Sequence, residues 1–296
     1  MPRFKKIVMI NCLKSLLILL SLQCLWLPNV YAENKIIVFV SILPQQYFVQ
    51  KIGKDFVDVR VMVGPGQNPA TYEPTPQQMA ALYKADIYFR IGVPFESAWL
   101  DKIKLNNKNL TIVECCEFIA NLNAHDHSHD HSADYDPHVW TSPKNVIKIS
   151  ELIKKTLIKI DEKNSPAYEA TEESFKDNLL ELDKVIKLKT KNLKSRTLIV
   201  SHPSWSYFAD EYGFTQVSIE REGKEIQASS LVKLIKIAKE RNVNTIFVQP
   251  QFNDRAAKVV ANELNAEVMN LDPLAFNYID NMNRVTDNIV KGLAHD

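Results

Sequence analysis

Seven histidines occur in 296 residues, and four of them fall within seven positions. His125, His127, His129 and His131 alternate with Asp126, Ser128 and Asp130. Such a tract has too few apolar residues to pack, which predicts a mobile loop over 123–134. Imidazoles near pH 7 are largely neutral and carry a free nitrogen lone pair. The tract therefore reads as a low-affinity collector of zinc, nickel or copper. Two further histidines stand in more defined settings. His138 lies in Asp136-Pro137-His138-Val139-Trp140, and His202 directly follows an apolar run ending at Val200 and Ser201. Asp272 repeats that placement after Leu271. Two imidazoles and a carboxylate from separate elements can converge on a divalent ion without any local spacing rule. Each residue also has a plainer reading: a hydrogen-bonded structural histidine, or an aspartate capping the next helix. His295, close to the end of the chain, reads as solvent-exposed.

The elements that would position these groups alternate in type. Ile36-Ile37-Val38-Phe39-Val40 is a continuous β-branched and apolar run, the pattern of a strand buried on both faces. A helix is predicted from Pro44 to Ile52, and a period-two strand from Val57 to Val63 before Gly64-Pro65-Gly66. Further strands are predicted at Ile87–Ile91 and Thr111–Val113, with a helix at Gln77–Lys84 between the second and third strands. The alternation returns with strands at Thr197–Val200, Thr245–Val248 and Glu267–Leu271. Helices accompany them around Tyr207–Tyr212, Ser229–Arg241, Asp254–Leu264 and 281–293. Between the two halves, Phe175, Leu179, Leu182 and Ile186 recur at helical spacing opposite a charged face, which predicts one long amphipathic connector. The expected fold class is α/β. Two similar lobes, each a mostly parallel sheet flanked by helices, are joined by a long rigid helix. Ligands of such sheets bind beyond the C-terminal ends of the strands.

The N-terminus sets the compartment. Arg3, Lys5 and Lys6 precede an apolar run from Leu13 to Leu27, and Val30-Tyr31-Ala32 closes it. That is the pattern of a secretion signal over residues 1–32. The organisation expected after it is an N-terminal lobe over 33–165, a connecting helix over 166–190 and a C-terminal lobe over 191–296. Without the signal the charge falls from 36 basic against 35 acidic residues to 32 against 35. A mildly acidic chain has no bulk attraction for nucleic acid. Of the four cysteines, Cys12 and Cys24 lie in the signal, and the adjacent Cys115 and Cys116 read as partly buried, inert thiols, with a zinc-binding thiol pair as the alternative.

Several of these segments together carry a resemblance. They are Gly66-Gln67-Asn68-Pro69, Tyr72-Glu73-Pro74-Thr75-Pro76, Gly92-Val93-Pro94-Phe95-Glu96 and the histidine tract. Asp136-Pro137-His138-Val139-Trp140, Ser201-His202-Pro203-Ser204-Trp205, Glu220 to Glu225 and Asp272-Pro273-Leu274 complete the set. In that order, over about 37–293, they resemble the solute-binding subunit of bacterial zinc and manganese ABC importers. The resemblance implies a periplasmic monomer that holds Zn2+, with Mn2+ as the alternative, between its lobes and passes it to a membrane permease. It places metal ligands at His138, His202 and Asp272. The family's first histidine falls on Ala70, whose methyl group cannot ligate. The three remaining ligands plus water are one arrangement that follows, and a fourth ligand from Glu73, Glu96, Gln67 or a histidine of the tract is the other. Rival readings on the same residues are a zinc-dependent hydrolase, a periplasmic metal buffer and an adhesin. The first lacks an HExxH motif and a general base beside the ligands.

Overall fold

The computed structural model describes residues 35–116, 136–221, 224–225 and 228–294. The predicted signal, the histidine tract with His125, His127, His129 and His131, and His295 lie outside them. Strand β1 (Ile36–Val40) is followed by helix α1 (Leu43–Gly53), β2 (Val57–Val61), α2 (Pro76–Leu82), β3 (Ile87–Arg90), α3 (Pro94–Asn106) and β4 (Thr111–Glu114). Two long helices come next, α4 (Pro143–Ile160) and α5 (Ser165–Thr190). The second half comprises β5 (Thr197–Val200), α6 (Ser206–Tyr212), β6 (Thr215–Ser218) and the short β7 (Glu220–Arg221) and β8 (Lys224–Glu225). It continues with α7 (Ala228–Glu240), β9 (Thr245–Val248), α8 (Arg255–Leu264), β10 (Glu267–Asn270) and α9 (Tyr278–Leu293).

Each lobe is built on a four-stranded sheet whose pairings are all parallel. The first runs β2-β1-β3-β4 and the second β10-β9-β5-β6. Read from its other edge, the second sheet repeats the strand order of the first. Sequential strands therefore leave in opposite directions at β1/β3 and at β5/β9, the switch points where an open α/β sheet leaves a crevice. β1, β3, β5 and β9 are almost wholly buried, as their unbroken apolar runs require. Two elements carry weaker patterns. Edge strand β6, Thr-Gln-Val-Ser, is only half buried and shows no apolar run. Helix α3 buries little beyond Phe95, Glu96 and Ile103, whereas α4 has a clear stripe in Val146, Ile149, Ile153 and Leu157.

The connector α5 has 26 residues, about 39 Å at 1.5 Å per residue. Pro166 occupies its first turn, where no hydrogen bond is lost. Its buried stripe includes Tyr168, Phe175, Leu179, Leu182 and Ile186, and it packs on α1 and α4 in one lobe and α9 in the other. Burial of Glu172 in the same stripe is offset by Ser150 Oγ at 2.9 Å and Lys154 Nζ at 2.6 Å. α9 lies close on its own sheet: a Cβ at Gly292 would meet Phe247 Cζ and Thr245 Cγ2, each at 2.9 Å.

One apolar core runs through both lobes. It joins Val38, Phe48 and Phe89 to Trp140, Phe175, Phe208, Phe247, Tyr278 and Ile289. A smaller core, around Ile199, Ile246, Leu234 and Val260, fills the far side of the second sheet. Trp140 stands at the crossing. Its indole Nε1–H donates to the carbonyl of Pro273 at 2.7 Å, and its own carbonyl accepts from the Tyr278 hydroxyl at 2.8 Å. Both lie in a dry setting, so the bonds link the lobes without competition from water. Tyr278→Phe keeps the volume and strands the Trp140 carbonyl. It should lower stability by about 1–2 kcal/mol in urea unfolding, with an unchanged denaturant slope.

Candidate functional site

Residues at the C-terminal ends of strands from both sheets line one cavity of ≈ 610 Å³. The first lobe contributes Asn68 to Ala70 after β2, Gly92 to Pro94 after β3, and Asp136 to His138. The second contributes His202 after β5, Gln216 in β6, Gln249 and Phe252 after β9, and Leu274 after β10. Gly92 has φ 87°, a left-handed conformation that side chains rarely adopt, and this lets the chain turn sharply at the cavity wall.

His138 and His202 come from different lobes and stand with ring centroids 5.3 Å apart at 75°. Each is fixed through Nδ1 by a carboxylate. His138 Nδ1 lies 2.7 Å from Asp136 Oδ1, which also accepts the His138 backbone N–H at 2.9 Å. His202 Nδ1 lies 2.5 Å from Glu220 Oε1. A carboxylate partner calls for an N–H at Nδ1, so in the neutral ring the lone pair belongs to Nε2. Asp136 is in turn gripped by the second lobe: Ser206 Oγ donates to Oδ2, and the Tyr207 hydroxyl donates to its carbonyl at 3.1 Å. Phe252 stacks on the His202 ring at 4.0 Å and 19°.

Electrostatics favour this pairing. Burial pushes the Asp136 carboxyl up. The His138 side chain, Ser206 and the His138 backbone N–H together outweigh that and hold it below the usual carboxylate range. Burial lowers the His202 imidazole below its ordinary 6.5, against the opposing pull of Glu220, and nearby His138 lowers it too. His202 is therefore the neutral, lone-pair-bearing form at pH 7.

The remaining residues singled out in the sequence are placed differently. Ala70 is exposed and lines the same cavity as the histidine pair, contributing only a methyl group. Asp272 is half-buried and does not line the cavity. Its Oδ1 accepts the Gln251 amide and the Leu274 N–H, each at 2.9 Å. That is a local turn, and α9 begins only at Tyr278, so Asp272 does not cap it. Glu73 is exposed and also outside the lining, and Gln67 borders a separate small cavity with Gln251. Among the described residues no three His, Cys, Asp or Glu side chains are grouped so as to hold a metal ion. Sequence reading passed over the roles of Asp136 and Glu220. Asp136 was within reach, two residues before His138. Glu220 opens one of the segments that carry the resemblance, but it is 18 residues from His202 and nothing local ties the two together. Cys115 and Cys116 are buried free thiols, and Cys116 Sγ lies 3.0 Å from the Ile91 carbonyl.

The family described as zinc-uptake complex component A, periplasmic, matches residues 38–292. A manganese-binding lipoprotein, MntA, of Halalkalibacterium halodurans is 30% identical over 274 residues, covering 88% of each chain. The high-affinity zinc uptake system protein ZnuA of Bacillus subtilis is 30% identical over 252 residues, covering 80% of this chain and 78% of that one. A crystal structure of ZnuA superposes with a TM-score of 0.81 at 38% identity, over 88% of this chain and 99% of the other.

Glu96 serves the cavity from behind its wall. It is 0% exposed, and its oxygens accept the N–H groups of Ile91 at 2.9 Å and Gly92 at 2.8 Å. They also take the Ser41 hydroxyl, and Arg90 Nε lies 3.3 Å away. The carboxylate is thus spent on holding the Ile91–Gly92 turn. Burial raises its pKa, partly countered by these donors. Removing the acceptor in Glu96→Ala strands several buried donors and should cost about 2–4 kcal/mol in chemical unfolding. Glu96→Gln, which keeps one carbonyl oxygen, should cost less.

Proposed function

The chain belongs to the family of zinc-uptake complex component A, periplasmic, and from that premise we propose that it is a metal receptor. It binds a divalent transition metal in the cleft between its lobes and hands it to the membrane permease of an ABC importer. Zinc is the preferred ion and manganese the alternative. The observation that carries the reading is the facing pair His138 and His202, each anchored at Nδ1 by its own carboxylate. Two imidazoles bound tetrahedrally at about 2.0–2.1 Å bring their ring centroids about 5 Å apart, close to the spacing seen here. Carboxylate–histidine pairing is also how proteins orient and sharpen imidazole ligands.

Imidazole ligation favours zinc over manganese, which prefers oxygen donors. The two relatives at 30% identity are named for different metals, so the preference rests on the donors of this chain. Gln251 and Leu274 both engage Oδ1 of Asp272, so Oδ2 is the oxygen it offers to a metal. The histidine tract supplies a low-affinity reservoir. Export to the periplasm through residues 1–32 completes the role.

Calorimetry with zinc and manganese on protein purified without a histidine tag tests this reading. His202→Ala should abolish high-affinity binding. Glu220→Gln, which leaves the ring but weakens its anchor, should cost about 10–100-fold. Ala70→His should strengthen zinc binding, and deletion of 125–131 should leave most of it. If the deletion removes binding and His202→Ala does not, the tract is the principal site. Manganese preferred over zinc would overturn the choice of metal.

A further inference from the structure

The cavity is much larger than an ion and its waters need. At ≈ 610 Å³ it has the size of a small-molecule site, about 300–1,000 Å³, whereas one water occupies about 30 Å³. Beside Asp136, His138 and His202, its walls carry groups that a bare cation does not use. Three side-chain amides line it: Asn68, Gln216 and Gln249. In each, the oxygen is already engaged by the protein. Asn68 Oδ1 accepts the Ala70 N–H at 2.8 Å, Gln216 Oε1 the Trp205 N–H at 2.6 Å, and Gln249 Oε1 the Ser204 hydroxyl at 2.6 Å. Two of these donors are backbone N–H groups, which fix the orientation of the amide. All three amides therefore keep their NH2 groups, for which the described residues supply no acceptor. An NH2 group repels a cation and binds a carboxylate.

Resting on the metal-receptor reading, we propose that the cargo is a metal chelate. The ion arrives bound to a small organic molecule bearing carboxylates, of the size of an amino acid or a tricarboxylic acid. Nε2 of His138 and of His202 take two positions on the metal. The chelator fills the positions that this chain leaves vacant, including the one for which Ala70 offers only a methyl group. The NH2 groups of Asn68, Gln216 and Gln249 receive the chelator's carboxylate oxygens. Phe252, Pro69 and Leu274 cover its carbon skeleton.

Equilibrium dialysis with radiolabelled histidine or citrate, each with and without zinc, provides the test. Label should be retained only when zinc is present, and the better-retained label identifies the chelator class. His202→Ala should abolish retention. The double variant Asn68→Asp, Gln216→Glu keeps both internal hydrogen bonds and turns two donors into anionic acceptors. It should weaken chelate binding at least tenfold relative to bare-zinc binding. Ala70→His should shift the balance the same way by supplying a donor and filling space. Tight binding of bare zinc with neither label retained overturns the chelate and leaves the metal receptor standing. Equal loss of bare and chelated zinc in the acidic double variant overturns the chelate too. Absence of zinc binding in either form overturns both.

Discussion

Trp140 ties together a molecule whose two candidate ligands belong to different lobes. Its ring sits in the apolar core that both lobes share. Its Nε1–H reaches Pro273 in one direction, and its carbonyl takes the Tyr278 hydroxyl in the other. His138 is two residues away and His202 lies across the cleft. Their spacing is set by how the lobes lock, because no local turn connects them. The long α5 reinforces the lock by burying one continuous stripe against helices of both halves. A core that crosses the boundary leaves little freedom for the lobes to swing apart, since opening would expose large aromatic side chains to water.

Within that frame the cleft is organised by carboxylates that act by holding other groups in place. Asp136 and Glu220 fix the imidazoles, and Glu96 fixes the Gly92 turn. Their energetic situations differ. Glu96 is fully buried, so burial raises its pKa despite four donors. Asp136, less deeply placed and beside an imidazole, is held low. One acidic side-chain chemistry thus gives a structural clamp in one place and a histidine anchor in another.

The two sheets share one strand order, and this symmetry explains the site's location. Each presents its switch point toward material contributed by the other, and the cavity collects residues that follow β2, β3, β5, β9 and β10. The departures from a simple ion site are local. The cavity has a methyl group at Ala70 and three side-chain amides whose oxygens are held by the protein. These are matters of side chain on a backbone plan that the two sheets share.

The sequence by itself determined the alternation of buried strands and helices, the amphipathic connector and the two histidines in ordered surroundings. These features follow from period and composition, which are local properties of the chain. It also marked the stripe of α4, although motif reading passed over it. Edge strand β6 was not legible, because a half-exposed Thr-Gln-Val-Ser segment becomes a strand only through pairing with β5. Only the tertiary structure decided that Glu220 reaches His202, that Glu96 turns away from the cavity, and that Asp272 is engaged by Gln251. Each is a contact between residues distant in sequence or a choice of direction for one side chain. Such choices are made by which donors lie nearby after folding, and no local pattern encodes them.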